Sequence, residues 1–322
     1  MREAIAQTSG RVDSFLAQFL EISKNQALQR IKAGLVCIND RICAKGGVVL
    51  KKGDRVCVHD ALTLPKTPTI SLNWSLECLY EDEDILVLNK PPYLAVHPAP
   101  SLKEASLVEY LQAKGVVLST LGGVERCGIV HRLDKETSGA LVIAKNNTSH
   151  AHLSAQLQTR EMGRYYVALI AGHLRAPLCV ECRLGRHPKN RLKMANLDAL
   201  KVKGGKLAKT FFVPLVDGMA HQLVGARLYS GRTHQVRAHL ESVGRRILGD
   251  KLYGVEDSRA PRTMLHAYLL YVTHPRSGER LLFKAKLLKD MVECAQSHLQ
   301  GVNWHGCLQE DYFLECFRAS TG

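Results

Sequence analysis

Between Asp60 and Asn73 the chain reads DALTLPKTPTISLN, with Pro65 and Pro68 and few apolar positions at any regular spacing. Proline removes a backbone donor and the residue before it resists the helix, so the run neither packs nor pairs well and reads as a linker. That break constrains the fold: residues 11–60 make a small unit, 61–73 the connection, and everything from 74 onward must build its own core.

In the small unit Val12, Phe15, Leu16 and Phe19 fall at helical spacing, and Ser23 caps a second helix carrying Ala27, Leu28, Ile31 and Leu35. Val36-Cys37-Ile38 reads as a strand, Asn39-Asp40 as its turn, and Val48 to Val58 as a further hairpin broken at Gly53-Asp54. Lys24, Arg30 and Lys32 lie on or beside the second helix, where they suit a phosphate backbone; the plain alternative is a solvated charged face. Beyond the linker, strand-like apolar runs (Ile85 to Leu88, Leu141 to Ala144, Tyr165 to Ile170, Phe211 to Val216) alternate with helical stretches at Ser106 to Lys114 and His150 to Gln158. The expectation for residues 74–300 is an α+β domain, a mixed and largely antiparallel sheet with helices packed on it. Residues 301–322, with Trp304, Cys307, Tyr312, Phe313 and Cys316, form a tail without a recognisable pattern.

Charge narrows the partners. Lys and Arg number 44 against 30 Asp and Glu, a formal charge of +14, so the surface attracts polyanions and nucleic acid is the first partner to consider. Ten cysteines are scattered, and the one close pair, Cys179 and Cys182, has no second pair to complete a zinc site and lies in a strand-like stretch after Pro177. Reduced thiols in a cytoplasmic protein are expected. His234 and His239 are five apart, off the four-residue helical spacing, and neither they nor His150 and His152 have an acidic ligand beside them; no metal is expected. No window approaches the roughly 20 apolar residues of a membrane span.

The informative stretch is Gly128-Ile129-Val130-His131-Arg132-Leu133-Asp134-Lys135-Glu136-Thr137-Ser138-Gly139, dense in polar groups just before an apolar strand. Asp134 is flanked by His131, Arg132 and Lys135, and nearby positive charge keeps an aspartate ionised, available as nucleophile or base. Thr137, Ser138 and Gly139 offer hydroxyls and an open backbone to fix the turn. On chemistry alone the alternative is a hydrogen-bonded loop with surface ion pairs.

HRLDKETSG followed by an apolar strand resembles the signature of the RluA class of pseudouridine synthases. Five further segments match in the expected order: EDEDILVLNKPPYLAVH from Glu81, GRHPKNRLKM from Gly185, GRTHQVRAH from Gly231, LGDKLYG from Leu248, and Leu265-His266-Ala267. Ala140 stands where leucine is common, and Lys251 where proline is frequent; neither removes a catalytic group. The small unit, over RVDSFLAQFLEISKNQALQRIKAGLVCINDRICAKGGVVLKKGDRV, resembles the RNA-binding domain first described in a ribosomal small-subunit protein.

The resemblance implies an enzyme without cofactor that breaks the bond from sugar to uracil nitrogen, turns the base and rejoins it through carbon five. Asp134 matches the family's aspartate, which attacks the anomeric carbon or helps form a glycal-like intermediate. Tyr166 matches the tyrosine that walls the extruded base and assists proton removal from carbon five. Tyr165 is its neighbour; rings at successive strand positions face opposite ways, and alignment on Val167-Ala168-Leu169 chooses Tyr166. Arg237 matches the arginine that pairs with the aspartate. Substrate contacts are expected from His131, Thr137, Arg232 on RNA phosphate, Leu265 beside the target base, and Arg132 as wedge or phosphate grip, with an ion pair to Glu136 as its plain alternative. The basic stretch Arg183 to Lys209 is expected to act as a rail for RNA. The leading RNA-binding domain points to ribosomal RNA of the large subunit, with tRNA as the alternative; a monomer is expected. A non-catalytic assembly factor and a glycoside hydrolase are the other readings; no second carboxylate in an equally marked setting serves the latter.

Overall fold

The computed structural model describes residues 2–32, 34–59, 74–99, 102 and 104–319. The expected linker, 61–73, and the side chain of Lys32 lie outside the described residues. Two compact units divide the chain, Met1–Ile70 and Ser71–Gly322.

The first unit runs β1 (Arg2–Ile5), β2 (Gly10–Arg11), α1 (Val12–Phe19), α2 (Lys24–Lys32), β3 (Val36–Ile38), β4 (Arg41–Ile42), β5 (Val49–Leu50) and β6 (Arg55–Val58). Val12 and Leu16 of α1 and Ala27 and Ile31 of α2 pack on Val36, Leu50, Val56 and Val58. The Gln26 amide donates to Ser23 Oγ (3.2 Å) and the Ser23 amide to Gln26 Oε1 (2.8 Å), a reciprocal cap that starts α2. Asn39 and Asp40 take φ of 48° and 63°, the left-handed pair a two-residue hairpin between β3 and β4 requires. The hairpin expected within Val48 to Val58 does not form. β5 pairs with β2, while β6 lies between β1 and β3 in a second sheet. Its true partner, β1, shows no strand-like apolar alternation in Arg2–Ile5, so nothing local announces it.

The second unit contains β7 (Glu77–Glu81), β8 (Ile85–Lys90), α3 (Leu107–Ala113), β9 (Ser138–Ala144), α4 (Asn147–Thr159), β10 (Gly163–Ala171), β11 (Leu178–Arg186), β12 (Met194–Asn196), β13 (Lys206–Asp217), β14 (His221–Leu228), α5 (Gln235–Ser242), β15 (Arg246–Ile247), β16 (Leu265–Thr273), β17 (Arg280–Lys284), α6 (Lys289–His298) and α7 (Glu310–Arg318). Eleven strands form one mixed sheet in the order β12-β11-β13-β14-β10-β16-β9-β8-β7, with β15 added on β10 and β17 on β16. All its ladders are antiparallel except β9 with β16. Alternate residues serve opposite faces: Leu86, Leu88, Leu141 and Ile143 join one core, Ile85, Val87, Val142 and Ala144 the other. Both faces being covered explains why the central strands read as continuous apolar runs. Leu153 of α4 closes the second core; Leu107 of α3, Met291 of α6 and Phe313 and Phe317 of α7 join the first. Among the described residues no helix is long and apolar enough to cross a membrane.

The parallel contact sets the site. His266 pairs with Ser138 and Ala267 with Gly139, so the loop entering β9 and the start of β16 meet at mid-sheet. Gly139 has φ of +114°, and a Cβ there would come within 2.2 Å of the Ala267 carbonyl oxygen, so only glycine fits.

Candidate active site

Asp134 sits in the loop just before β9, its carbonyl accepting from the Thr137 amide at 3.1 Å. Three anchors hold that loop. The Val142 amide donates to His131 Nε2 (3.2 Å), pinning the loop to the free side of β9. Glu136 accepts from the Thr263 hydroxyl (2.8 Å), and the buried Arg262 donates to the Glu136 carbonyl (3.2 Å) while its fork grips Asp290. Lys90, fully buried at the end of β8, donates to the carbonyls of Pro91, Leu94 and Lys135. Burial pulls the Lys90 ammonium down to about 7, the Arg262 charge adding to the effect.

Arg237, on the first turns of α5, bridges two carboxylates. Its Nε and Nη2 donate to Asp250 at 2.6 and 2.8 Å, and Nη1 donates to Asp134 Oδ2 at 3.0 Å. Asp250 is wholly buried and also accepts from the amides of Leu252 and Tyr253, both at 3.0 Å. Burial works against its charge, but the Arg237 hydrogen bonds and those amides hold its carboxyl below the usual range. The Tyr253 ring lies under the Arg237 guanidinium, 5.0 Å from its centroid. Arg237 is thus fixed in orientation by Asp250 and Tyr253 and offers one remaining nitrogen to Asp134, which is 18% exposed.

Tyr165 and Tyr166 part company as strand geometry demands. Tyr165 turns toward Phe317 and Phe313 of α7, with ring centroids 5.0 and 6.3 Å away. Tyr166 lines the cleft that also exposes Asp134, Thr137, Arg232, Arg237 and Leu265. Burial pushes the Tyr166 phenol up to about 12, with Asp134 adding to the rise and Arg164 opposing it, so it stays protonated at neutral pH. Leu265 opens β16 and is both core and cleft wall.

Arg132 does not pair with Glu136. Its Nη1 donates to His97 Nε2 at 3.1 Å, and burial, helped by the Arg132 charge, pulls His97 down to about 4, so His97 acts as a neutral acceptor. His131 is also neutral, drawn down to about 3 by burial and Arg164; it supports the loop and borders the cleft on the Arg132 side. His234 and His239 face different partners, the Tyr253 hydroxyl and the Thr210 hydroxyl. Along the basic stretch, Arg183 pairs with Asp198, Lys193 with Glu241 and Lys209 with Glu181, which leaves less free charge there than its composition suggests. In the first unit Lys24 is exposed and Arg30 half-buried on α2. Among the described residues no cysteines are joined in a disulfide, and Cys179 and Cys182 point to opposite faces of β11.

Asp250, Tyr253 and Lys90 had no assigned role in the sequence, although each lies inside a segment that carried the resemblance. The local signal was an aspartate and a lysine within otherwise apolar stretches, where an unpaired charge would be too costly to keep.

This fold and site define a class: an RNA-modifying sheet domain preceded by an RNA-binding unit. A family model described as RNA pseudouridylate synthase matches residues 84–242, and one for the S4 domain matches 10–56. An uncharacterized RNA pseudouridine synthase of Helicobacter pylori is 48% identical over 314 residues, covering 96% of each chain. A protein named ribosomal large subunit pseudouridine synthase D from Pseudomonas aeruginosa is 34% identical, covering 88% of this chain and 90% of its own, and its namesake from Neisseria meningitidis is 35% identical over 88% and 77%. The solved structure of human RNA pseudouridylate synthase domain containing 1 shares the fold, with a TM-score of 0.57 at 24% identity over 71% of this chain and 90% of that one. The chain belongs to the RNA pseudouridine synthase family and is an isomerase of that kind.

Proposed function

We propose that this enzyme converts uridines of large-subunit ribosomal RNA to pseudouridine, with Asp134 as the carboxylate that acts on the sugar. The observation that carries the reading is the Asp250–Arg237–Asp134 chain opening onto a cleft walled by Tyr166 and Leu265. A carboxylate held by one nitrogen of a fixed guanidinium keeps an oxygen free for the anomeric carbon, by direct attack or through a glycal-like step. Leu265 and the Tyr166 ring flank an extruded base, and Thr137 supports the turn beneath it. The Tyr166 ring serves as the wall for the base, and its phenol, held neutral by burial, can take the carbon-five proton only after giving up its own. Arg132, held at the cleft mouth by His97, and Arg232 are positioned to meet phosphate.

The ribosomal assignment draws on the printed names of the Pseudomonas and Neisseria relatives and on the S4 unit, whose Lys24, Arg30 and Lys32 we assign to RNA contact. We place the protein in the cytoplasm as a monomer, with residues 11–60 as the RNA-binding domain, 61–73 as linker and a catalytic domain that runs from 74 past the expected end at 300, since Trp304, Phe313 and Phe317 are part of its core.

The test is tritium release from carbon-five-labelled uridine in ribosomal RNA and in tRNA, with the intact protein and its Asp134→Asn form. Release from ribosomal RNA by the intact protein, reduced at least about a thousand-fold in Asp134→Asn while RNA affinity is kept, is the expected outcome. Release from tRNA alone would overturn the substrate assignment, and an active Asn form the mechanism.

A further inference from the structure

Arg164 lies two residues before Tyr166 on β10, so both side chains leave the same face of the strand, roughly 7 Å apart along it. It is 7% exposed. The other deeply placed arginines of this unit are neutralised, Arg262 by Asp290 and Arg237 by Asp250 and Asp134. Arg164 is not. Its buried Nε has no hydrogen-bond partner, and the charged groups acting on it are the Tyr166 phenol, neutral in this site, and a second cation, Arg232. Burial disfavours its charge, as the downward shift of its guanidinium records. A buried cation beside another cation, with no carboxylate partner among the described residues, is a standing cost unless something outside the chain supplies the anion.

The surroundings say what that anion is. Arg164 borders the Tyr166 pocket, where Asp134 is already paired with Arg237, and also the adjoining cleft lined by Arg126, Arg132, Arg160, Lys209 and Arg232, in which no described Asp or Glu takes part. His131 borders it too, its Nδ1 buried and without a partner. Gly231 presses on the Arg164 guanidinium so closely that a Cβ there would meet Nη1 at 2.5 Å, so the backbone leaves just enough room for the side chain.

We propose that Arg164, with Arg232, forms a phosphodiester subsite for the RNA backbone flanking the uridine that lies against Tyr166, and that this phosphate completes the ion pair the folded protein lacks. The inference rests on the function proposed above and adds a specific anion to it.

Tritium release on a large-subunit ribosomal RNA transcript tests it, comparing the intact protein with Arg164→Gln and Arg164→Lys, both checked for native circular dichroism. Arg164→Gln should raise KM about ten- to a hundred-fold with a smaller change in kcat, and lower the salt-dependence slope of log(1/KM) by about one; Arg164→Lys should recover part of both. Phosphate-ethylation interference on the same transcript probes the intact protein without any substitution. Ethylation at a phosphate flanking the modified uridine should block turnover by the intact protein, and this selectivity should vanish in Arg164→Gln. Unchanged KM and slope in Arg164→Gln, or no interference at the flanking phosphates with the intact protein, would overturn the subsite while leaving the proposed function standing. Absence of release by the intact protein from every RNA would instead remove the function and the subsite together.

Discussion

One arginine cluster from each unit shows two opposite ways of handling charge. In the first, Arg55 pairs with Asp40 and Glu3 at the surface, the side chains 43%, 75% and 41% exposed. In the second, Arg237 and Asp250 pair at 10% and 0% exposure, and Arg262 is wholly buried. Exposed pairs are screened by water and salt and contribute little, whereas a buried pair is costly to break because the surviving partner keeps its charge without its counter-charge. The comparison teaches that a surface pair such as Arg55–Asp40 in the S4 unit can vary at small cost to folding, while the synthase unit has tied the order of its core to the groups that orient its chemistry.

Asp250→Asn attacks the deepest of those ties. It should cost ~3 kcal/mol in urea unfolding and lower kcat, because Arg237 loses its fixed orientation toward Asp134. Equal stability in the Asn form would show that burial there is not what holds the pair, and the contrast between units would fail.

Acid should expose the second unit next. His131 and His266 are buried and neutral, drawn down to about 3 and about 4 by burial. Unfolded, each regains an ordinary value near 6.5, so between about pH 4 and 6.5 the unfolded chain binds more protons than the folded one and stability rises with pH. The contribution is therefore fully present above pH 6.5 and is lost on acidification, by at most about 3 kcal/mol from the two together between pH 6.5 and 5.5. Urea midpoints across that range check it, and His131→Asn should flatten the slope by up to half; an unchanged slope would clear His131 of the effect.

The smallest effects belong to the first unit. Asp40→Ala should shift stability by less than ~0.5 kcal/mol, and Lys24→Ala should leave folding untouched while lowering the salt slope of RNA binding by about one. A loss above ~2 kcal/mol from Asp40→Ala would sharpen the comparison by showing a surface pair that behaves as a buried one.

What could be read in advance divides along similar lines. The cap at Ser23, the Asn39-Asp40 turn and the long strands β8, β9, β10 and β13 are local, and their residues announce them. The pairing of β6 with β1 is not local, and the hairpin expected within Val48 to Val58 came from reading neighbours in sequence as neighbours in space. The site follows the same rule. Asp134, Tyr166 and Arg237 stood out through motif resemblance, yet what fixes them comes from elsewhere: Arg237 lies 103 positions from Asp134, and Lys90 reaches the Lys135 carbonyl from 45 positions away. Arg164 was hidden by its ordinariness, one more basic residue in a basic chain, until its missing partner became visible.

The division of labour between Tyr165 and Tyr166 reaches the far end of the described chain. β10 carries the cleft wall on one face and, on the other, a ring braced by Phe313 and Phe317. A protease that clipped the polypeptide ahead of Glu310 would remove none of the residues that line the cleft, yet would strip the backing from that wall. Inactivation by C-terminal nicking thus needs no cut near the cleft, and an assay for intact ends would report on the catalytic centre from its reverse side.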